Sequence, residues 1–458
     1  MKLLKAAFGG RPAKKNRVNE FAKDPKKALI KLSIPILVGM VVQALYNIVD
    51  TAFVGRLGSD SIAALTFAFP LFFILISLNM GIATGMTSRI SRQLGAKQKK
   101  GAENTAMHGL LFTLLVAAVV IVLGLVFLDQ VFLLFGASNS VLELATGYMR
   151  IILYGAFFMF TSFALNQMLT AQGDTKTPMM IQVIALVCNI ILDPIFIYVL
   201  GYGVRGAAIA TVISFFISMV LALVFVSRRS YLHIHIKNFS FGWSILKDII
   251  RVGFPASLMM LLMSFYAMFI NRLMASFGTD YVAAFGLDWR LNSLANMPMV
   301  AISISTMTLV GMFYGAKRYD LLKKTVGYSL KTAFIWGASM AMIFAAVPQI
   351  WLRIFTADPE LIALAAKYVR VEVWMFPFMG TGLIIARAIQ AIGKGMPGLV
   401  IMLVRTLLVA VPLAYLFVFV FGYGYLSVAV AMVASGVVSA GLALIWWRYC
   451  LRKCNGTA

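Results

Sequence analysis

The sequence predicts an all-α membrane protein of twelve transmembrane helices, arranged as two pseudo-symmetric six-helix bundles. Three observations predict it. Of 458 residues, 61% are hydrophobic and only 12% are charged, more apolar surface than a soluble chain could hide. Many charge-free runs match the helix of about 20 residues that crosses a bilayer. The pattern also repeats. Pro35 returns as Pro255, Gly58 as Gly278, and Asp60-x-x-Ala63-Ala64 as Asp280-x-x-Ala283-Ala284. Gly95-Ala96-Lys97 returns as Gly315-Ala316-Lys317, and Tyr148-x-Arg150 as Tyr368-x-Arg370. These pairs share one offset of 220 residues (255 minus 35), and Gly201-Tyr202-Gly203 returns as Gly422-Tyr423-Gly424 after one inserted residue. A fixed offset over such a length marks a duplicated unit.

The spans must be helices, because lipid offers backbone groups no hydrogen-bond partners. The runs also lack the alternation of barrel strands. Residues 1–28 form a basic tail. The first lobe, 29–228, holds spans at about 29–55, 63–88, 104–128, 144–170, 179–200 and 204–227. A linker at 229–247 leads to the second lobe, 248–447, with spans at about 249–275, 283–311, 325–347, 362–391, 397–421 and 425–447. Residues 448–458 are a second tail. Six spans per half give both halves one orientation, with the pseudo-twofold axis along the membrane normal and a cavity expected between them.

The net charge of +24 does not indicate nucleic acid, since no soluble, basic, aromatic-interleaved domain is present. Most of the 40 Lys and Arg fall in the tails and the even-numbered connections. That bias puts both termini in the cytoplasm, and the basic N-terminal segment would also be drawn to anionic lipid. The first apolar run is too long for a signal-peptide core, so it stays as helix 1. Cys188 is expected in a helix core, and Cys450 and Cys454 as inert surface thiols, with no disulfide framework or zinc spacing. His233 and His235 lack a third ligand for a metal. His108 is expected at the membrane interface. The glycines of the two Gly-Ala-Lys turns suit helix ends, where cations are also favoured.

Polar residues inside spans need a reason. Helix 1 carries Gln43, Tyr46, Asn47 and Asp50 at i, i+3, i+4 and i+7, on one face. Helix 4 carries Ser162 and Asn166 one turn apart. Helix 5 carries Gln182, Asn189 and Asp193 on one face, and helix 6 carries Thr211, Ser214 and Ser218. Such stripes face inward, away from lipid. Counted from the outer helix ends at about 1.5 Å per residue, Asp50, Asp193 and Thr211 share one depth. Two carboxylates close together in a dry bundle must bind a cation or hold a proton, and an all-oxygen set suits a hard ion such as Na+. Ile270 stands opposite Asp50 in the second half, and Val411 opposite Asp193 when counting from Pro194 and Pro412. The site is therefore expected in the first lobe alone. Pro35 removes a backbone hydrogen bond and can seed a bend in helix 1. In the second lobe, Asp288, Asn292 and Asn296 share a face of helix 8. Asp288 and Glu372 are secondary candidates, expected to form internal ion pairs with arginines such as Arg290, Arg387 and Arg405.

The stretch Gln43-x-x-Tyr46-Asn47-x-x-Asp50-Thr51-x-Phe53-Val54-Gly55 resembles helix 1 of the multidrug and toxic compound extrusion (MATE) transporters. The Gln172-Gly173-Asp174-x-Lys176-x-Pro178 loop and Asn189-x-x-x-Asp193-Pro194 resemble the same family, over about residues 29–447. The resemblance implies an antiporter that exports organic cations or amphipathic drugs in exchange for Na+ or H+. In the archaeal and DinF-like branch, the motif carries that ion's site onto Asp50, Asn189, Asp193 and Thr211. It places Gln43, Tyr46 and Asn166 near the site or drug path, joined by Asn47 and Ser162. Another branch uses acids of helices 7 and 10 for sodium, and of these only Glu372 survives here. No cofactor, no metal beyond Na+, and a monomer embedded in lipid are expected. Two rivals are weaker. A lipid-linked saccharide flippase would ring its cavity with arginine, and a membrane enzyme would need a nucleophile–base pair that no span supplies.

Overall fold

The computed structural model describes residues 15–137, 139–234 and 239–454. Among them, twelve helices are long and apolar enough to cross a membrane, as predicted. They are α1 (Pro25–Gly55), α2 (Ser59–Gly95), α3 (Lys99–Leu134), α4 (Asn139–Ala171), α5 (Lys176–Val199) and α6 (Gly203–Arg229). Then come α7 (Trp243–Ala275), α8 (Thr279–Gly315), α9 (Tyr319–Ala346), α10 (Pro359–Ala391), α11 (Met396–Val420) and α12 (Leu426–Cys454). No strand occurs among the described residues. The outer row of α3, with Leu115, Val119, Val122 and Val126 exposed, is a surface only lipid would cover. In the first unit α4 is central, packing Met149, Ile152 and Phe160 against Val54, Ala64 and Phe132.

Helix α1 starts at Pro25, ahead of the predicted boundary, because hydropathy does not register the lysines of its first turns. In the duplicated turns the left-handed residue is not the glycine. It is Lys97 (φ 60°) and Lys317 (φ 57°), with Gln98 N–H donating to Gln93 O and Arg318 N–H to Phe313 O, both at 2.8 Å. His108 is not interfacial but buried, between Phe239 and Phe241. Its Nδ1 lies 2.8 Å from Asn104 O, and its Nε2 accepts from Gly242 N–H at 2.9 Å. Cys450 is buried rather than a surface thiol. His235 falls outside the described residues. No group of three metal-ligating side chains exists among those described.

The chain forms two compact units: residues to Glu20 with Ile34–Phe254, and Phe21–Ser33 with Pro255 onward. The sequence suggested a boundary in the 229–247 linker. The chain instead changes unit inside α1 and α7, beside Pro35 and Pro255, since apolarity alone does not say which bundle a helix end joins. In the first unit, the start of α7 meets α2 without side chains between. A Cβ on Gly253 would stand 2.6 Å from Gly81 O, and one on Gly85 would strike Ile249 O. Arg89 Nη1 and Arg92 Nη2 donate to Asp248 at 2.6 and 3.2 Å. In the second unit the equivalent positions are Ser33 and Ser305, whose hydroxyls bond at 3.0 Å.

Candidate functional site

Five of the first-lobe residues, Tyr46, Asp50, Asn189, Asp193 and Thr211, lie on α1, α5 and α6 as one cluster. Asn189 and Asp193, one turn apart on α5, are fully buried, and Asn189 Nδ2 donates to Asp193 Oδ1 at 3.1 Å. From α1, the Tyr46 hydroxyl donates to Thr211 Oγ1 on α6 at 2.9 Å. Asp50, one turn beyond Tyr46, is near enough for its charge to act on Asp193. Asp50 Oδ1, Asp193 Oδ2 and Asn189 Oδ1 are buried without a hydrogen-bond donor. Acceptor-only oxygens in a low-dielectric bundle are costly until a positive centre meets them.

Other candidates separate from this cluster. Ser162 Oγ lies 2.6 Å from Ser218 Oγ, and Asn166 Nδ2 donates to Ser162 at 3.4 Å. That chain ties α4 to α6 two turns along from Thr211, about 10 Å by helical rise, and acts as interhelical glue. Gln43 and Asn47 are exposed. The loop residue Gln172 anchors the chain after α6, its Oε1 accepting from Ser230 Oγ, Tyr231 N–H and Leu232 N–H. Sequence reading missed Tyr148, which is buried and lies within electrostatic reach of both acids. Its signal was present in the repeated Tyr-x-Arg pair.

The second unit corrects an expectation. Asp288 and Glu372 are buried, but neither has a cationic partner within 4.0 Å among the described residues. Instead Asn292 Nδ2 donates to Asp288 Oδ2 at 2.9 Å and to Glu372 Oε2 at 3.2 Å. Two of the arginines lie elsewhere, Arg290 over the Phe355 ring and Arg387 donating to Gln390, while Arg405 lines the same cavity as the acids without closing to 4.0 Å. Helical spacing put Asn292 beside Asp288 but did not show that it bridges to Glu372.

Residues 35–195 and 255–416 both match the MatE family model, and the two matches start at Pro35 and Pro255, the repeated pair. The chain belongs to the MatE family. Its relatives include the FAD transporter of Shewanella oneidensis, 30% identical over 398 residues that cover 85% of this chain and 87% of that one. The multidrug export protein MepA of Staphylococcus haemolyticus is 26% identical over 371 residues, 81% of this chain and 82% of that one. A MATE structure in a bent conformation matches with a TM-score of 0.93 at 33% identity, over 97% of this chain and 99% of that one. The twelve helices thus form a MatE-family membrane transporter.

Proposed function

We propose that this MatE transporter is a secondary antiporter of the cell membrane with cytoplasmic termini. It exports organic cations and amphipathic drugs, and the Na+ or H+ that drives it binds at Asp50, Asn189, Asp193 and Thr211. The multidrug export role of relatives such as MepA supports the substrate class. One observation carries the ion site: Asp50 Oδ1 of α1 and Asn189 Oδ1 and Asp193 Oδ2 of α5 are buried without a donor, and the Tyr46–Thr211 bond holds α1 against α6 beside them. A single cation or proton relieves the unmet acceptors and the mutual repulsion of two carboxylates. Loading from outside then favours the arrangement of the first unit that fits an ion. Ligand and ion need not touch, provided each prefers a different arrangement.

Proteoliposomes loaded with a cationic dye test the reading. An imposed inward Na+ or H+ gradient should drive dye out of vesicles carrying the native protein. Asp50→Asn should insert and fold yet give no gradient-driven export. Native-like export by that variant would remove the proposal.

A further inference from the structure

Backbone matching between the halves locates the one inserted residue. Gly173 and Gly393, both with positive φ, still pair at an offset of 220 (393 minus 173). Their turns match bond for bond, Asp174 N–H to Leu169 O and Lys394 N–H to Ile389 O. At the far end of the next helix the offset is 221. Leu200 N–H bonds Ile195 O as Phe421 N–H bonds Leu416 O, and Tyr202 N–H bonds Phe196 O as Tyr423 N–H bonds Phe417 O. Between these markers, α5 is regular α-helix from Lys176 to Pro194, whereas α11 carries a π-helical turn at Val404–Ala410. One extra residue is what a π turn accommodates, and such turns recur at functional sites. The structural match therefore puts Ala414, rather than Val411, opposite Asp193, and that position is apolar either way.

Arg405 lies in the inserted turn. It lines a cavity of about 80 Å³ inside the second unit, with Tyr266, Asp288, Trp289, Asn292 and Glu372. That volume is a few waters' worth, too small for a whole drug but enough for a charged head group. Arg405 has no carboxylate within 4.0 Å among the described residues. Among the described residues its one hydrogen-bond contact is Nη2 to Met375 Sδ at 3.4 Å, and a thioether is a weak acceptor. The acids face the same cavity, held by Asn292, whose own Oδ1 is buried without a donor. Guanidinium and carboxylates thus share one cavity without closing into a salt bridge. The first unit has no such set: Ala68 and Ile152 stand where Asp288 and Glu372 would be.

We propose that this cavity binds a zwitterionic head group, its ammonium toward Asp288 and Glu372 and its carboxylate toward the fork of Arg405. The apolar body stays outside, against Trp289 and the surrounding methionines. The binding site stands by itself, and its role in export rests on the antiport reading above.

Three dansyl probes differ only in the head. Nε-dansyl-lysine carries ammonium and carboxylate, dansylcadaverine the ammonium alone, and 6-(dansylamino)hexanoate the carboxylate alone. Dansyl fluorescence on titration into the purified native protein should show dansyl-lysine binding about tenfold tighter than either partial probe, the scale of a charge-assisted hydrogen bond. Arg405→Gln should abolish the preference for dansyl-lysine over dansylcadaverine, while dansylcadaverine keeps its affinity within about twofold. Equal affinities of the native protein for all three probes overturn the inference, so the outcome does not depend on a variant folding. Equal loss of dansyl-lysine and dansylcadaverine in Arg405→Gln also overturns it. Gradient-driven export with no head-group preference would sink this site and spare the antiporter. A preference without gradient-driven export would do the reverse.

Discussion

Tyr46 and Tyr148 of the first unit have Tyr266 and Tyr368 as counterparts 220 residues on (266 minus 46), yet the acids around the two pairs come from different helices. In the first unit they are Asp50 on α1 and Asp193 on α5. In the second they are Asp288 on α8 and Glu372 on α10. Thr211, which accepts from Tyr46, is matched by Met432, which accepts from the Tyr368 hydroxyl at 3.4 Å. The duplication has kept what packs (tyrosines, tight turns, left-handed lysines) and has moved what carries charge. Were the acids needed for folding, one half would not manage with Ile270 at the position of Asp50, nor the other with Ala68 at the position of Asp288. The acids of the two halves therefore do not serve the shared fold, and the roles proposed above give the first set an ion and the second a ligand.

The sharpest way to break this division is to neutralise one acid on each side. Asp193→Asn should cut gradient-driven export about 100-fold, near the upper range of coupling between sites. Glu372→Gln should weaken ligand affinity yet leave whatever export persists fully dependent on the gradient. Proteoliposome efflux measured with and without the gradient separates the two, and equal loss of gradient dependence in both variants would erase the division. A smaller effect tests the packing contrast. Gly253→Ser installs the second unit's residue where no side chain fits, and overpacking should cost about 1–3 kcal/mol. Ser33→Gly loses one hydroxyl pair, about 1 kcal/mol. Thermal unfolding in detergent should rank the first change above the second, and the opposite rank would discard the close-approach account. The smallest effect belongs to Asp248, whose part-exposed pairing with Arg89 and Arg92 faces Ala28, Leu309 and Met312 at the matching positions. Asp248→Asn should lower stability by about 1 kcal/mol or less, and the difference should shrink as salt is raised.

Much of this was legible in the residues. Apolar runs set the spans, and the i, i+3, i+4, i+7 spacing from Gln43 to Asp50 put Tyr46 and Asp50 on the face that meets Thr211 and Asp193. Periodicity gives a face, however, and not the neighbour across it. Hence sequence alone predicts arginine partners for Asp288 and Glu372, whereas Asn292 bridges them. Sequence reading places Ser162 and Asn166 near the site or the drug path, and it does not show that they also tie α4 to α6. The π turn of α11 was invisible because one added residue in a continuous apolar run changes no composition. It surfaced only as a repeat offset that moved from 220 to 221 (422 minus 201). Buried His108 and Cys450 were misplaced for a similar reason. Tertiary contacts cover both, and local sequence does not reveal such contacts.

The first unit includes residues up to Phe254, with Asp248, Ile249 and Gly253 seated against α2. As the chain leaves the ribosome, its sixth span is complete some 25 residues (254 minus 229) before the last piece of that unit appears. A gene cut within the linker would hand the leading fragment a bundle with one wall absent. Any scheme for making the halves separately, or for tracing how an ancestral single copy stood alone, must let one copy supply that wall to another.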